Sequence, residues 1–95
     1  MDISSYVGPA IRLLREKALV SQEELAGRAE LDRTYVSGIE RGRRNPSVKS
    51  LQRVANALGV SLEVIFIQAR ALADQAEGEQ RTMREKLIIR HRSRA

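Results

Sequence analysis

Apolar residues recur every three to four positions along most of this 95-residue chain. That is the spacing of helices with one buried face. Ile11, Leu14 and Ala18 form a first stripe, and Leu25, Ala26 and Ala29 a second. Val36 and Ile39, with Leu31 just ahead, form a third. Val48, Leu51, Val54, Ala55 and Leu58 form a fourth. The fifth is Leu62, Ile65, Phe66, Ala69, Leu72, Ala73 and Ala76. Nowhere does the pattern alternate strictly, as a half-buried strand would. The expected fold class is therefore all-α, with five helices.

Start and stop signals place the boundaries. Pro9 suits the first turn of a helix, so the first helix is expected to begin between Tyr6 and Pro9 and to run to Lys17, after a short lead over residues 1–8. Ser21 and Glu24 have the spacing of a capping box. Asp32 is a good N-cap and Gly42 a good C-cap for a third helix of about three turns. Ser47, Gly59 and Ser61 bracket the fourth and open the fifth. The second and third helices are separated by about three residues, the spacing of a helix-turn-helix.

Two charges break the apolar pattern. Arg15 sits in the first inward stripe and Glu40 on the inward side of the third helix. An unpaired buried charge is costly, so packing of these helices predicts an Arg15–Glu40 ion pair; the alternative is that each reaches solvent independently. On the fifth helix Val64, Ile67 and Ala71 form a second apolar strip that one small core cannot cover. It is expected to be a dimer interface, unless the tail folds back over it. After Glu77 the composition changes: Gly78 interrupts, and 81–94 is basic, with Met83 and Leu87 as i, i+4 neighbours. This stretch reads as a sixth helix, serving either as a phosphate-binding arm or as a solubilising tail. The expected domains are 1–74, ending in the dimerising helix, and 75–95, a basic extension in extended or helical form.

Composition narrows the function. Seventeen Lys and Arg against twelve Asp and Glu give a net charge of +5, which favours an anionic partner. There is no cysteine and one histidine, His91, in the basic tail, so no metal site and no cofactor are expected. Three aromatic residues are too few for a single-strand stacking platform. Paired carboxylates and a glycine-rich phosphate loop are lacking, which leaves an enzyme without machinery. No apolar run approaches the ~20 residues of a membrane span, and the expectation is a cytoplasmic protein without membrane contact.

The opening of the second helix, Ser21-Gln22-Glu23-Glu24-Leu25-Ala26, and the Val36, Ile39-Glu40, Gly42 signature of the third resemble the lambda-repressor/Cro-like (XRE) helix-turn-helix family over residues 10–66. The run from Leu31 to Arg41, followed by Arg44-Asn45 and Lys49-Ser50-Leu51, is similar to the controller proteins of restriction–modification systems. The resemblance implies a five-helix fold and a homodimer on a near-palindromic operator of double-stranded DNA. By position, it implies that Arg33, Thr34 and Ser37 face base edges. Gln22, Tyr35, Arg43, Arg44, Asn45, Lys49 and Ser50 would touch the DNA backbone, Arg44 with a further reach to bases. Two departures stand out. Glu30 occupies a turn position where many members carry glycine, and Gly38 offers no side chain where a base-reading group often sits. The expected function is transcriptional regulation, open to autoregulation. The competing reading is an antitoxin-type or coactivator-type module whose main ligand is a protein partner.

Overall fold

The computed structural model describes residues 2–93, with side chains described to residue 88. Its five helices are α1 (Ser4–Lys17), α2 (Gln22–Ala29), α3 (Arg33–Glu40), α4 (Val48–Leu58) and α5 (Leu62–Ser93). There is no strand among the described residues, and the fold is all-α.

Local chemistry accounts for each boundary. α1 starts earlier than Pro9 implied: just ahead of its N-cap residue Ile3, the Asp2 carboxylate accepts from the Ser4 N–H at 3.1 Å and the Ser4 hydroxyl at 2.6 Å. Both bonds favour the ionised form and hold the Asp2 carboxyl below its ordinary value. Pro9 sits inside α1 on its exposed side. At α2 the capping box is complete, with Glu24 N–H to Ser21 Oγ at 3.0 Å and the Glu24 side chain returning to the Ser21 N–H. Asp32 caps α3 through the Thr34 N–H at 2.9 Å, and Ser47 caps α4 through the Ser50 N–H at 3.0 Å. Gly42 and Gly59 take the left-handed conformation that ends α3 and α4.

The core lies between the five helices, each of which contributes buried side chains to it. Ile11, Leu25, Val36, Val54 and Ile65 are its largest fully buried side chains. α1 packs along α5 and against α3, while α2 packs on α3 and α4. At the α1–α3 crossing Gly8 lies directly on the Ile39 carbonyl, with no room for a Cβ. Residues 3–8 of the expected lead are thus part of the packed fold, with Ile3, Tyr6 and Val7 against the core.

Four expectations are corrected. Ala18 is exposed, because α1 ends at Lys17 and the chain turns away through Leu19 at φ +59°. Val48 is 70% exposed: it opens α4, and a first-turn side chain leans toward the helix N-terminus and past the core. Phe66 is only partly covered, at the rim beside Ile3, Val7 and Leu51. There is no separate sixth helix, since α5 runs through Gly78 without a break to Ser93. His91 and the last basic side chains lie outside the described side chains.

Candidate nucleic-acid interface

The outer side of α3 is built from short polar groups fixed from behind. Val36 and Ile39 are buried, which turns Arg33, Thr34 and Arg41 outward and leaves Ser37 and Gly38 half-covered between them. Glu40 supplies the anchor. Arg15 Nε donates to Glu40 Oε2 at 2.7 Å and Arg15 Nη2 to Oε1 at 2.9 Å, a bidentate pair. Gln22 Nε2 adds a bond to Oε1 at 3.1 Å, and Arg15 Nη1 reaches the Val20 carbonyl at 3.0 Å. One carboxylate therefore fastens α3 to α1 and to the start of α2. The hydrogen bond to Glu40 holds the Arg15 guanidinium above its ordinary value, against the opposing effect of burial.

The turn between α2 and α3 sets their relative angle. Glu30 closes α2 at φ 57°, ψ 44°, a left-handed geometry, and the Leu31 N–H returns to the Ala26 carbonyl at 2.9 Å. Glycine is therefore not required there, although a side chain in this geometry is strained.

The loop after α3 is drawn onto the same face. The Arg43 and Arg44 N–H groups both donate to the Gly38 carbonyl, at 2.8 and 3.2 Å. The Arg44 stem lies over Gly38, where a built Cβ would fall 2.7 Å from Arg44 Cγ. Gly38 is thus a seat for a side chain imported from the loop. Arg43, Arg44, Asn45 and Lys49 are all exposed beside it.

The sequence-derived site residues fall into three groups. Arg33, Thr34 and Ser37 share the outer side of α3, with the Ser37 hydroxyl accepting from Arg41 Nη2 at 2.7 Å. Arg43, Arg44, Asn45 and Lys49 lie along the loop and first turn of α4. Tyr35 and Ser50 are half-buried and joined at 3.4 Å, so they link α3 to α4, while Gln22 is tied inward to Glu40. Two more residues belong to this surface. Arg41 is one: helical spacing already sets it on the side of Thr34, Ser37 and Gly38, and its guanidinium donates to the Ser37 hydroxyl. Glu23 is the other, 3.6 Å from Arg33; nothing in the local pattern announces that contact across the turn. On α5, Ile67 and Ala71 are exposed and Val64 half-buried.

A capped pair of short helices, the second offering a small polar face flanked by cations, defines a helix-turn-helix protein. A model of the helix-turn-helix family matches residues 11–65, and the chain belongs to that family, of the XRE type. Among its relatives is the control protein C.MunI of a Mycoplasma species, 42% identical over 66 residues, which cover 68% of this chain and 89% of that protein. The immunity repressor protein of Bacillus phage phi105 is 36% identical over 84 residues; these cover 88% of this chain but 58% of the repressor. Among solved structures, the restriction–modification controller protein C.AhdI from Aeromonas hydrophila superposes with TM-score 0.63 at 39% identity, covering 64% of this chain and 92% of that one. The clp gene regulator ClgR from Corynebacterium glutamicum reaches TM-score 0.77 at 32% identity, covering 87% of this chain and 89% of its own.

Proposed function

We propose that this protein is a sequence-specific double-stranded DNA-binding transcription regulator, acting inside the cell as a homodimer on a palindromic operator and without catalytic activity. The observation that carries this is the outer side of α3: small, polar, flanked by Arg33, Arg41, Arg43, Arg44 and Lys49, and locked from behind by the Arg15–Glu40 pair. A face of this width enters a major groove about 12 Å across. Arg33 donates its fork to a guanine, Thr34 offers a methyl or hydroxyl to a base edge, and Ser37 reads with Arg41 beside it. Arg43, Arg44 and Lys49 neutralise phosphates, with Asn45 and the α4 N-terminus alongside, which gives affinity and register without sequence information. Gln22, Tyr35 and Ser50 serve the backbone contact mainly by fixing the helices. The exposed strip of Ile67 and Ala71, with Val64, is the dimer contact, and half-sites lie about one helical turn apart or a multiple of it. No single helix among the described residues is long and apolar enough to cross a membrane.

Selection of bound duplexes from random sequence tests the reading, followed by titration of two variants on the recovered operator and on random DNA. A two-fold motif is expected. Arg33→Ala loses about 1–3 kcal/mol on the operator and little on random DNA. Arg43→Ala weakens both alike and lowers the salt slope by about one per protomer. Recovery of no motif, or equal losses for Arg33→Ala on both duplexes, would overturn it in favour of a protein ligand.

A further inference from the structure

α5 carries its core-facing stripe past the end of the core. Ile65, Ala69 and Ala73 on that stripe are buried, with α1 packed along the helix. At roughly 100° per residue the same stripe continues through Ala76, Gln80, Met83 and Leu87. Beyond Ala76 no described residue covers it: Met83 is 65% and Leu87 53% exposed. The molecule measures 60 × 24 × 23 Å, so the second half of α5 stands out from the domain as an arm.

The charges beside the stripe identify its occupant. With Gln80 and Leu87 at heptad position a and Ala76 and Met83 at d, the flanking e positions are Glu77 and Arg84, and the g positions are Glu79 and Lys86. All four are exposed, and no ion pair within the described residues engages them. Each flank is therefore acidic toward the domain and basic toward the tip, which is the arrangement of a self-complementary, antiparallel pair.

We infer that the arm of α5 docks on the arm of a second copy, antiparallel, about a two-fold axis between Arg81 and Thr82. In that register Gln80 meets the second copy's Met83, and Ala76 meets its Leu87. Glu77 faces the second copy's Arg84 and Glu79 faces its Lys86, and the two-fold repeats both pairs. A shift of one heptad inward sets Glu77 and Glu79 against themselves. A shift outward does the same to Arg84 and Lys86. A parallel pair would use Glu79 and Arg84 but leave Glu77 and Lys86 without opposite charges. The charge order thus selects one orientation and one register. This contact lies about half a turn around α5 from Val64, Ile67 and Ala71, so it is additional to the dimer proposed above and independent of DNA.

The test is sedimentation velocity on the full chain at rising concentration and low salt, without DNA, for the parent, Glu79→Lys, Lys86→Glu and an equimolar mixture of the two. All substituted positions are exposed, and circular dichroism checks that helix content is unchanged. Each single variant creates two like-charge contacts and weakens a self-association step by about tenfold. The mixture restores it, since the lysine introduced in one variant meets the glutamate introduced in the other, and the parent residues Lys86 and Glu79 complete the second pair. Single variants that associate like the parent overturn the inference, and so does a mixture that fails to recover. A Lys86→Glu chain that loses affinity for duplex DNA while its self-association is unchanged also overturns it, and makes the arm a phosphate contact.

Discussion

The Glu40 side chain is 2% exposed and that of Arg15 12%, so this pair is closed to water on its carboxylate side. Removing one partner strands a buried charge, which costs far more than the intact pair contributes. Glu40→Ala should lose about 3–5 kcal/mol in a denaturant or thermal melt. Replacement of both partners by apolar residues should recover much of that loss. The pair was legible in the sequence because both charges stand at core positions of helices that must pack. The seat at Gly38 was not, since its meaning depends on where a loop residue six positions later folds back. Gly38→Ala would push a methyl into the Arg44 stem, 2.7 Å away. Because Arg44 is a flexible, exposed side chain, stability should change by less than about 1 kcal/mol while the operator titration weakens. At Glu30, φ 57° strains an ordinary residue. Glu30→Gly should stabilise by about 1 kcal/mol, raising the melting temperature by about 4–8 °C for a domain of this size.

Caps and stripes fixed four of the five helices to within a residue or two, because Ser21, Asp32 and Ser47 satisfy N–H groups that have no other partner. The errors fell where a local signal competes with propagation. Gly78 reads as a break, yet an exposed glycine costs a helix only about 1 kcal/mol against alanine, and a helix already nucleated by packing on α1 continues through it. No atom outside the helix lies within 4 Å of the Cβ position at Gly78, so Gly78→Ala meets no obstacle. The expected outcome is slower amide exchange over residues 75–85 and a gain of about 0.5–1 kcal/mol in local helix stability, with the domain's melting unchanged. Gly8 gives the opposite result from the same substitution. Its Cα lies against the Ile39 carbonyl, so Gly8→Ala must force α1 and α3 apart and should cost about 1–3 kcal/mol in a thermal melt. Nothing in the sequence near Gly8 distinguishes the two glycines; the difference lies in which helix crosses there.

At the scale of the whole molecule, a net charge of +5 matters through where it sits. Glu40 is consumed by Arg15, and Glu16 and Glu24 are held by Arg12 and Arg28 in exposed i, i+4 pairs along α1 and α2. Among the described residues, the cations beside α3 left without an ion pair are Arg41, Arg43, Arg44 and Lys49, with Arg33 restrained at 3.6 Å by Glu23. In the proposed complex Arg33 and Arg41 line the reading side, which leaves Arg43, Arg44 and Lys49 as the phosphate ligands of each protomer. A homodimer then neutralises about six phosphates. Each releases about 0.9 counterion from duplex DNA, so log K for the operator should fall against log[salt] with a slope of about −5. Fluorescence anisotropy between about 50 and 200 mM salt measures that slope. Lys49→Ala, present twice in the dimer, should reduce its magnitude by about two without altering which base pairs the protein prefers. A slope near half the expected value would mean that a single protomer engages the DNA. Preference for the two-fold operator over a single half-site would then be lost with it, because a palindrome is read only when both α3 helices enter the groove together.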